Sequence, residues 1–366
     1  MTVRHNSASA SASRLAKEIS GYDIAELASL IEQYESAPAE RLADLFAAAD
    51  EARQRHYGRR VYFRGLVEFS SYCRNDCLYC GIRRSNTSAV RYRLSDAEIL
   101  ESCARGHELG FRTFVLQSGE DTAFSDDRVC ELLASIKCAH PDSAVTLSIG
   151  ERPTASYERF REAGADRYLL RHETASAEHY RMLHPPSMEL ATRMRCLRDL
   201  KRLGYQVGAG FMVGSPFQTT THLAEDLAFL RDFEPHMVGI GPFVPHRDTP
   251  FGARPVPTAD LTLVMVALAR LMLPTALIPA TTALGSVDPL GREKALLAGA
   301  NVVMPNLSPL AHRADYALYD NKICLGEEAA ECVGCLAERI TAAGYEPDFS
   351  RGDHCDVEGS SAGVEA

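Results

Sequence analysis

Several features are missing from this sequence of 366 residues. There is no excess of positive charge: 39 Lys and Arg stand against 49 Asp and Glu, a net charge of −10. Nucleic-acid binders usually carry a basic stripe, so that class is set aside. There is no uninterrupted apolar run long enough for a membrane. Residues 261–280 are the most apolar stretch, but Arg270, Pro274 and Pro279 interrupt it, so it reads as a buried helix followed by a strand. An apolar leader is lacking, and the chain is longer than the small secreted domains that depend on disulfides. Its eleven cysteines are therefore expected to be thiols and metal ligands in a reducing, cytoplasmic setting. The small-residue tract Asn6 to Ser13 reads as part of a floppy tail. An organelle transit segment is the second reading, because residues 1–17 carry Arg and Ser but no acid.

What is present points to a large core: 46% of the residues are hydrophobic. Residues 21–56 look helical, with Ile24, Leu27, Leu30 and Ile31, then Leu42, Leu45 and Phe46, at helical spacing. A long alternation follows. Strands are expected at 61–70, 113–119, 144–149, 167–173, 205–213, 237–244, 277–283 and 301–306, each rich in Val, Ile, Phe or Leu. Amphipathic helices are expected between them, at 95–109, 125–139, 154–163, 187–203, 219–233, 258–273 and 291–299. Ser95 with Glu98 matches a capping box, and Gly110, Gly164 and Gly204 mark helix ends.

Eight strands alternating with helices imply a parallel sheet, and eight is the number that closes a barrel. A doubly wound open sheet is the alternative, but no nucleotide-fold glycine fingerprint follows the first strand. The expected architecture is α/β, a (β/α)8 barrel over residues 59–310. Helices at 21–58 precede it and a cysteine-containing extension at 311–346 follows, with flexible tails at 1–20 and 347–366. In such a barrel the chemistry gathers at the strand C-terminal ends.

The first strand runs into Cys73-Arg74-Asn75-Asp76-Cys77-Leu78-Tyr79-Cys80. Three thiolates within eight residues must wrap one small object. A structural zinc site usually adds a fourth ligand nearby, and an electron-transfer 4Fe–4S cluster takes four cysteines. Three ligands leave one iron open. The CxxxCxxC spacing resembles the radical S-adenosylmethionine (AdoMet, SAM) superfamily, with Tyr79 as its customary aromatic. That resemblance implies an open iron that chelates AdoMet, reductive cleavage by a reduced electron donor, and a 5′-deoxyadenosyl radical. A zinc loop is the competing reading.

Longer segments sharpen the resemblance. Tyr79-Cys80-Gly81-Ile82-Arg83-Arg84-Ser85-Asn86, Arg91-Tyr92-Arg93, Val115-Leu116-Gln117-Ser118-Gly119-Glu120-Asp121 and Arg167-Tyr168-Leu169-Leu170-Arg171-His172-Glu173-Thr174 are similar to the HydE family of FeFe-hydrogenase maturases. So are Gly239-Ile240-Gly241-Pro242-Phe243, Ile278-Pro279-Ala280-Thr281-Thr282-Ala283 and Val303-Met304-Pro305-Asn306. Methylornithine synthase and biotin synthase share the barrel but fewer of these segments.

Alternation puts Arg167, Leu169, Arg171 and Glu173 on one strand face. Charges there are costly unless they meet a ligand or each other, so a polar lumen and an internal salt-bridge network are both open. The resemblance favours the lumen. It implies AdoMet contacts from Tyr79, Ser118, Gly119, Glu120, Glu173 and Arg193. It implies substrate contacts from Gln117, Thr146, Arg167, Arg171, Thr281, Thr282, Met304 and Tyr319. The glycines of 208–210 and of Gly239-Ile240-Gly241 are expected to allow close backbone approach to adenine.

Cys324, Cys332 and Cys335 form a second group, read as an optional second iron–sulfur cluster, with a zinc site completed by His354 or Cys355 as the alternative. Cys103, Cys130, Cys138 and Cys196 fall in helix patterns and read as packing residues. The implied activity is assembly of the hydrogenase diiron subcluster from a small organometallic iron carbonyl–cyanide–cysteine unit, between the maturases HydG and HydF. A methylornithine synthase-like mutase and a non-catalytic iron–sulfur carrier are the rivals.

Overall fold

The structure, a computed structural model, describes residues 15–326 and 329–357. Six parallel strands lie side by side in chain order: β2 (Gly65–Ser70), β3 (Thr113–Ser118), β4 (Ala144–Ser148), β5 (Arg167–Leu169), β6 (Gln206–Val213) and β7 (Met237–Pro242). A smaller sheet, in the order β8–β1–β9, is made by β1 (Arg60–Phe63), β8 (Val302–Val303) and β9 (Glu346–Asp348). Single parallel bridges from Met237 to Leu277, Pro279 to Val302 and Leu66 to Asn306 close the ring. Segments 277–280 and 302–306 thus hold the seventh and eighth strand positions of a closed α/β barrel.

The expected strand 61–70 is divided at Arg64. Its first half pairs with β8 and β9, and its second with β3. The expected strand 277–283 stops at Ala280, because the Thr281 hydroxyl accepts from Leu284 N–H at 3.3 Å and starts the helix Thr282–Val287. The helical segment 21–56 breaks at Pro38 into Ile24–Glu35 and Ala39–Tyr57. The apolar stretch becomes the helix Ala259–Met272, buried from Thr262 onwards on every side.

Both expected tails need correction. Residues 15–20 are helical and Ile19 is fully buried, so they belong to the fold; the tract from Asn6 to Ser13 lies outside the described residues. At the other end, β9 pairs with β1, and residues 349–357 fold under the N-terminal end of the barrel. There Arg167, the first residue of β5, sends Nη2 to Asp353 Oδ1 (2.6 Å) and Arg351 O (2.7 Å), and Nη1 to Thr113 Oγ1 (3.0 Å). Gln206, the first residue of β6, donates to Asp353 at 2.7 Å. Arg167 therefore belongs to a structural network at the barrel floor and does not line the cavity at the strand C-terminal ends. Thr146 sits opposite it in register, 1% exposed, and is likewise absent from the cavity wall.

Candidate active site

The cysteine loop leaves β2 and is held by its own arginines. Arg91 donates to four loop carbonyls: Ser71 (2.5 Å) and Ile82 (2.8 Å) from Nη1, Arg83 (2.6 Å) and Asn86 (3.1 Å) from Nη2. Arg93 grips Asp121 with both Nε (2.7 Å) and Nη2 (3.0 Å) and lies over the Tyr72 ring. Asp76 accepts from Arg83 and Ser85. Sequence reasoning quoted Arg91 and Arg93 without a role; only the fold shows their carbonyl and carboxylate partners. An Arg91→Ala variant strips four carbonyls of a charged donor and should loosen the loop by roughly 3 kcal/mol. Iron retained by the N-terminal site after reconstitution and gel filtration should fall, and wild-type iron content would contradict this.

Within that loop Cys73, Cys77 and Cys80 are partly buried. Burial and the neighbouring thiols push Cys77 well above the ordinary thiol range and Cys80 up to about 12. Such thiols call for a cation to stabilise their thiolates. Three partly buried thiols on one loop are the donor set of a cluster held by three cysteines, which would leave one iron open.

The end of β3 touches this loop. Gly119 is obligatory, since a Cβ there would lie 2.3 Å from Tyr72 O. Glu120 N–H points at Cys73 Sγ (3.4 Å), and its carboxylate accepts from Arg74 Nε (2.9 Å) and Glu151 N (2.8 Å). Ser118 donates to Gly119 O at 2.7 Å. Tyr79 shares a hydrogen bond with His184 Nε2 (3.2 Å). Since His184 Nδ1 contacts Tyr180 O at 2.9 Å, the ring donates there and accepts from the tyrosine. Arg193 is buried, with Nε on Glu151 Oε1 (2.6 Å) and Nη1 on Arg171 O (2.8 Å).

Glu173 is held in a left-handed conformation (φ 67°) by Glu173 N to Gly210 O (3.0 Å) and Met212 N to Glu173 O (3.2 Å). Beside it, fully buried His172 places Nε2 3.1 Å from Asp226 Oδ1 and accepts from Gly210 N at 3.2 Å. Burial pushes His172 down to about 3 and Asp226 well above the carboxylate range, so this is a neutral pair. A histidine depressed in the fold binds its proton in the unfolded chain first. The His172 share of stability is thus complete above pH 6.5 and falls from there towards pH 3, while Asp226, raised by burial, works in the opposite direction as pH falls. The His172 share should be about 2 kcal/mol between pH 7 and pH 5. The difference between wild type and His172→Gln in urea titrations at both pH values reads it.

The glycines expected near adenine divide. A Cβ on Gly210 would meet Gly239 O at 2.0 Å, so Gly210 serves strand packing, whereas Gly239 lines the cavity beside Arg171.

A cavity of about 170 Å³ opens at the strand C-terminal ends. Gln117, Arg171, Thr281, Thr282, Met304 and Tyr319 line it, together with Glu68, Asn306, Lys322 and Arg292, which the sequence reading missed. Glu68, 2% exposed, accepts from Lys322 Nζ at 2.7 and 2.8 Å and from Asn306 Nδ2 at 2.7 Å. This pair joins positions 254 residues apart, which no local pattern reveals.

Cys324, Cys332 and Cys335 line a separate cavity of about 440 Å³ with Arg292 and Arg339. Cys355, offered as a fourth ligand, instead sits at the barrel floor, its N–H 3.3 Å from Tyr57 Oη, and His354 N–H bonds Gln206 Oε1 at 2.9 Å. The zinc site completed by these residues is ruled out.

Residues 67–230 match the Radical SAM superfamily. The chain is 48% identical over 303 residues to the FeFe-hydrogenase maturase subunit HydE of Thermotoga maritima, covering 83% of this chain and 86% of that protein. It is 30% identical over 312 residues to 3-methylornithine synthase of Methanosarcina acetivorans, covering 84% and 86%. A crystal structure of methylornithine synthase superposes with a TM-score of 0.79 at 27% identity, covering 94% of this chain and 99% of the other. With its cysteine loop at the mouth of a closed barrel, and with this likeness along most of its length, the chain belongs to the HydE family of radical SAM enzymes.

Proposed function

We propose that this radical SAM enzyme acts in FeFe-hydrogenase maturation, on a small iron carbonyl–cyanide–cysteine unit received from HydG and passed towards HydF in the cytoplasm. The observation that carries this is the 48% identity to HydE across 83% of the chain, against 30% to methylornithine synthase over a similar span. Among the described residues no helix is long and apolar enough to cross a membrane.

When bound, the 4Fe–4S cluster and AdoMet supply a 5′-deoxyadenosyl radical by one-electron reductive cleavage. The protein's part is placement. Cys73, Cys77 and Cys80 would hold the cluster through three of its irons, and Arg91 keeps the loop in shape. Glu173, Arg193 and the Ser118-Gly119-Glu120 turn would bind AdoMet beside the loop. Gln117, Arg171, Thr281, Thr282, Met304 and Tyr319 form a cavity rich in donors, which suits an anionic ligand. The second cysteine cavity would hold an optional iron–sulfur cluster, with cationic Arg292 and Arg339 suited to its negative charge.

A methylornithine synthase-like mutase is the second reading, favoured by the TM-score of 0.79. Reconstituted, reduced enzyme supplied with AdoMet and lysine separates the two. No methylornithine is expected, and its formation would overturn the maturase reading.

A further inference from the structure

The barrel floor carries a donor cluster that the radical chemistry does not use. His354, Cys355 and Asp356 stand in the segment that folds under the N-terminal ends of the strands. Each offers one ligand atom, a ring nitrogen, a sulfur or a carboxylate oxygen, and these atoms all lie within 4.8 Å of one another. His354 Nδ1 is 3.5 Å from Asp356 Oδ2, and Cys355 Sγ is 3.7 Å from Asp356 Oδ1. Around a tetrahedral zinc ion, ordinary bond lengths put a nitrogen and an oxygen roughly 3.4 Å apart, and a sulfur and an oxygen roughly 3.6 Å apart. The observed spacings fit those edges. A thiolate and a carboxylate this close repel each other unless a cation stands between them.

The backbone that carries the donors is anchored on two other elements. His354 N–H donates to Gln206 Oε1 (2.9 Å) at the start of β6, and Cys355 N–H to Tyr57 Oη (3.3 Å) at the end of the helix Ala39–Tyr57. Val357 N–H closes a turn on His354 O at 2.8 Å. The His236 ring packs edge-on against the His354 ring, with centroids 5.0 Å apart, and its own Nδ1 accepts from Val207 N–H at 3.1 Å. Cys355 packs against the buried cluster that includes Tyr57, Met237 and Leu277. Ligands fixed in this way lose little freedom on binding. Asp356 is exposed, so water can complete the coordination, as it does for zinc with three protein ligands.

We propose that His354, Cys355 and Asp356 bind one zinc-class divalent ion, which clasps the C-terminal segment to the barrel floor. Sulfur with imidazole selects such an ion over magnesium or calcium, which prefer oxygen ligands. The site is separate from the cavity of Cys324, Cys332 and Cys335, since Cys324 also lines the cavity at the opposite end of the barrel. It does not depend on the maturase reading.

The test is a zinc chloride soak of crystals of the full chain with its iron–sulfur site loaded, measured on both sides of the zinc absorption edge, which separates zinc from iron. A zinc peak within bonding reach of His354, Cys355 and Asp356 is expected in the wild type. In C355S the zinc dissociation constant, read from occupancy across a soak series, should rise more than about 100-fold, since changes behind a ligand already cost roughly 10–100-fold. No zinc peak at these residues in the wild type, or equal occupancy in C355S, would overturn the proposal. The wild-type soak depends neither on a variant folding nor on any enzymatic activity.

Discussion

A Cys77→Ser enzyme, reconstituted and reduced, should form no measurable 5′-deoxyadenosine from AdoMet. Thiolates hold iron–sulfur clusters, and a serine hydroxyl stays protonated at neutral pH, so one of three irons loses its ligand. Even changes to residues behind metal ligands cost roughly 10–100-fold, so losing a ligand should cost more than about 100-fold. The fold itself should survive. Cys77 Sγ lies 3.8 Å from Met188 Sδ, while Arg91 and the Arg83–Asp76 pair carry the loop. Chromatographic assay of 5′-deoxyadenosine, with circular dichroism as the folding control, checks this. Cleavage within tenfold of wild type would contradict it.

Asp353→Ala should have the largest effect on stability, about 3–5 kcal/mol, because it leaves fully buried Arg167 without its carboxylate. Burial opposes ionisation of Asp353, but Arg167, Arg351 and the Gln206 amide outweigh it and hold the carboxyl well below the usual range. A depressed carboxyl contributes stability above its unfolded pKa, near 3.9. That stability is lost as pH falls from there through the folded value. Urea unfolding at pH 7 reads the loss, and a change below about 1 kcal/mol would contradict the network's role. Arg167→Met added to Asp353→Ala should recover part of it, since apolar replacement of a whole buried pair is often near neutral.

The same two residues show where sequence reasoning reached and where it stopped. Alternation placed Arg167 and Arg171 on one face of the expected strand 167–173. It could not give depth: four residues of strand span about 13 Å, which puts one at the barrel floor and the other in the cavity. The cysteine triad was legible because its ligands are adjacent in the chain, and the helix–strand rhythm revealed the barrel. The segment after residue 347 looked like a tail because its fixing contacts are polar and distant, as from Asp353 to Arg167 and from Arg351 to Asp166. Glu68 and Lys322 escaped notice for the same reason. Strand 277–283 was read too long, since Thr281 suits a strand by type but caps a helix here.

The most direct measurement of the central claim is complementation of a hydrogenase-producing strain that lacks its own HydE. Wild-type chain should restore hydrogen evolution, and the Cys77→Ser chain, expressed to the same level, should not. If the wild-type chain holds its cluster and cleaves AdoMet yet restores no hydrogen evolution, it is a radical SAM enzyme with another substrate, and the maturase account is wrong.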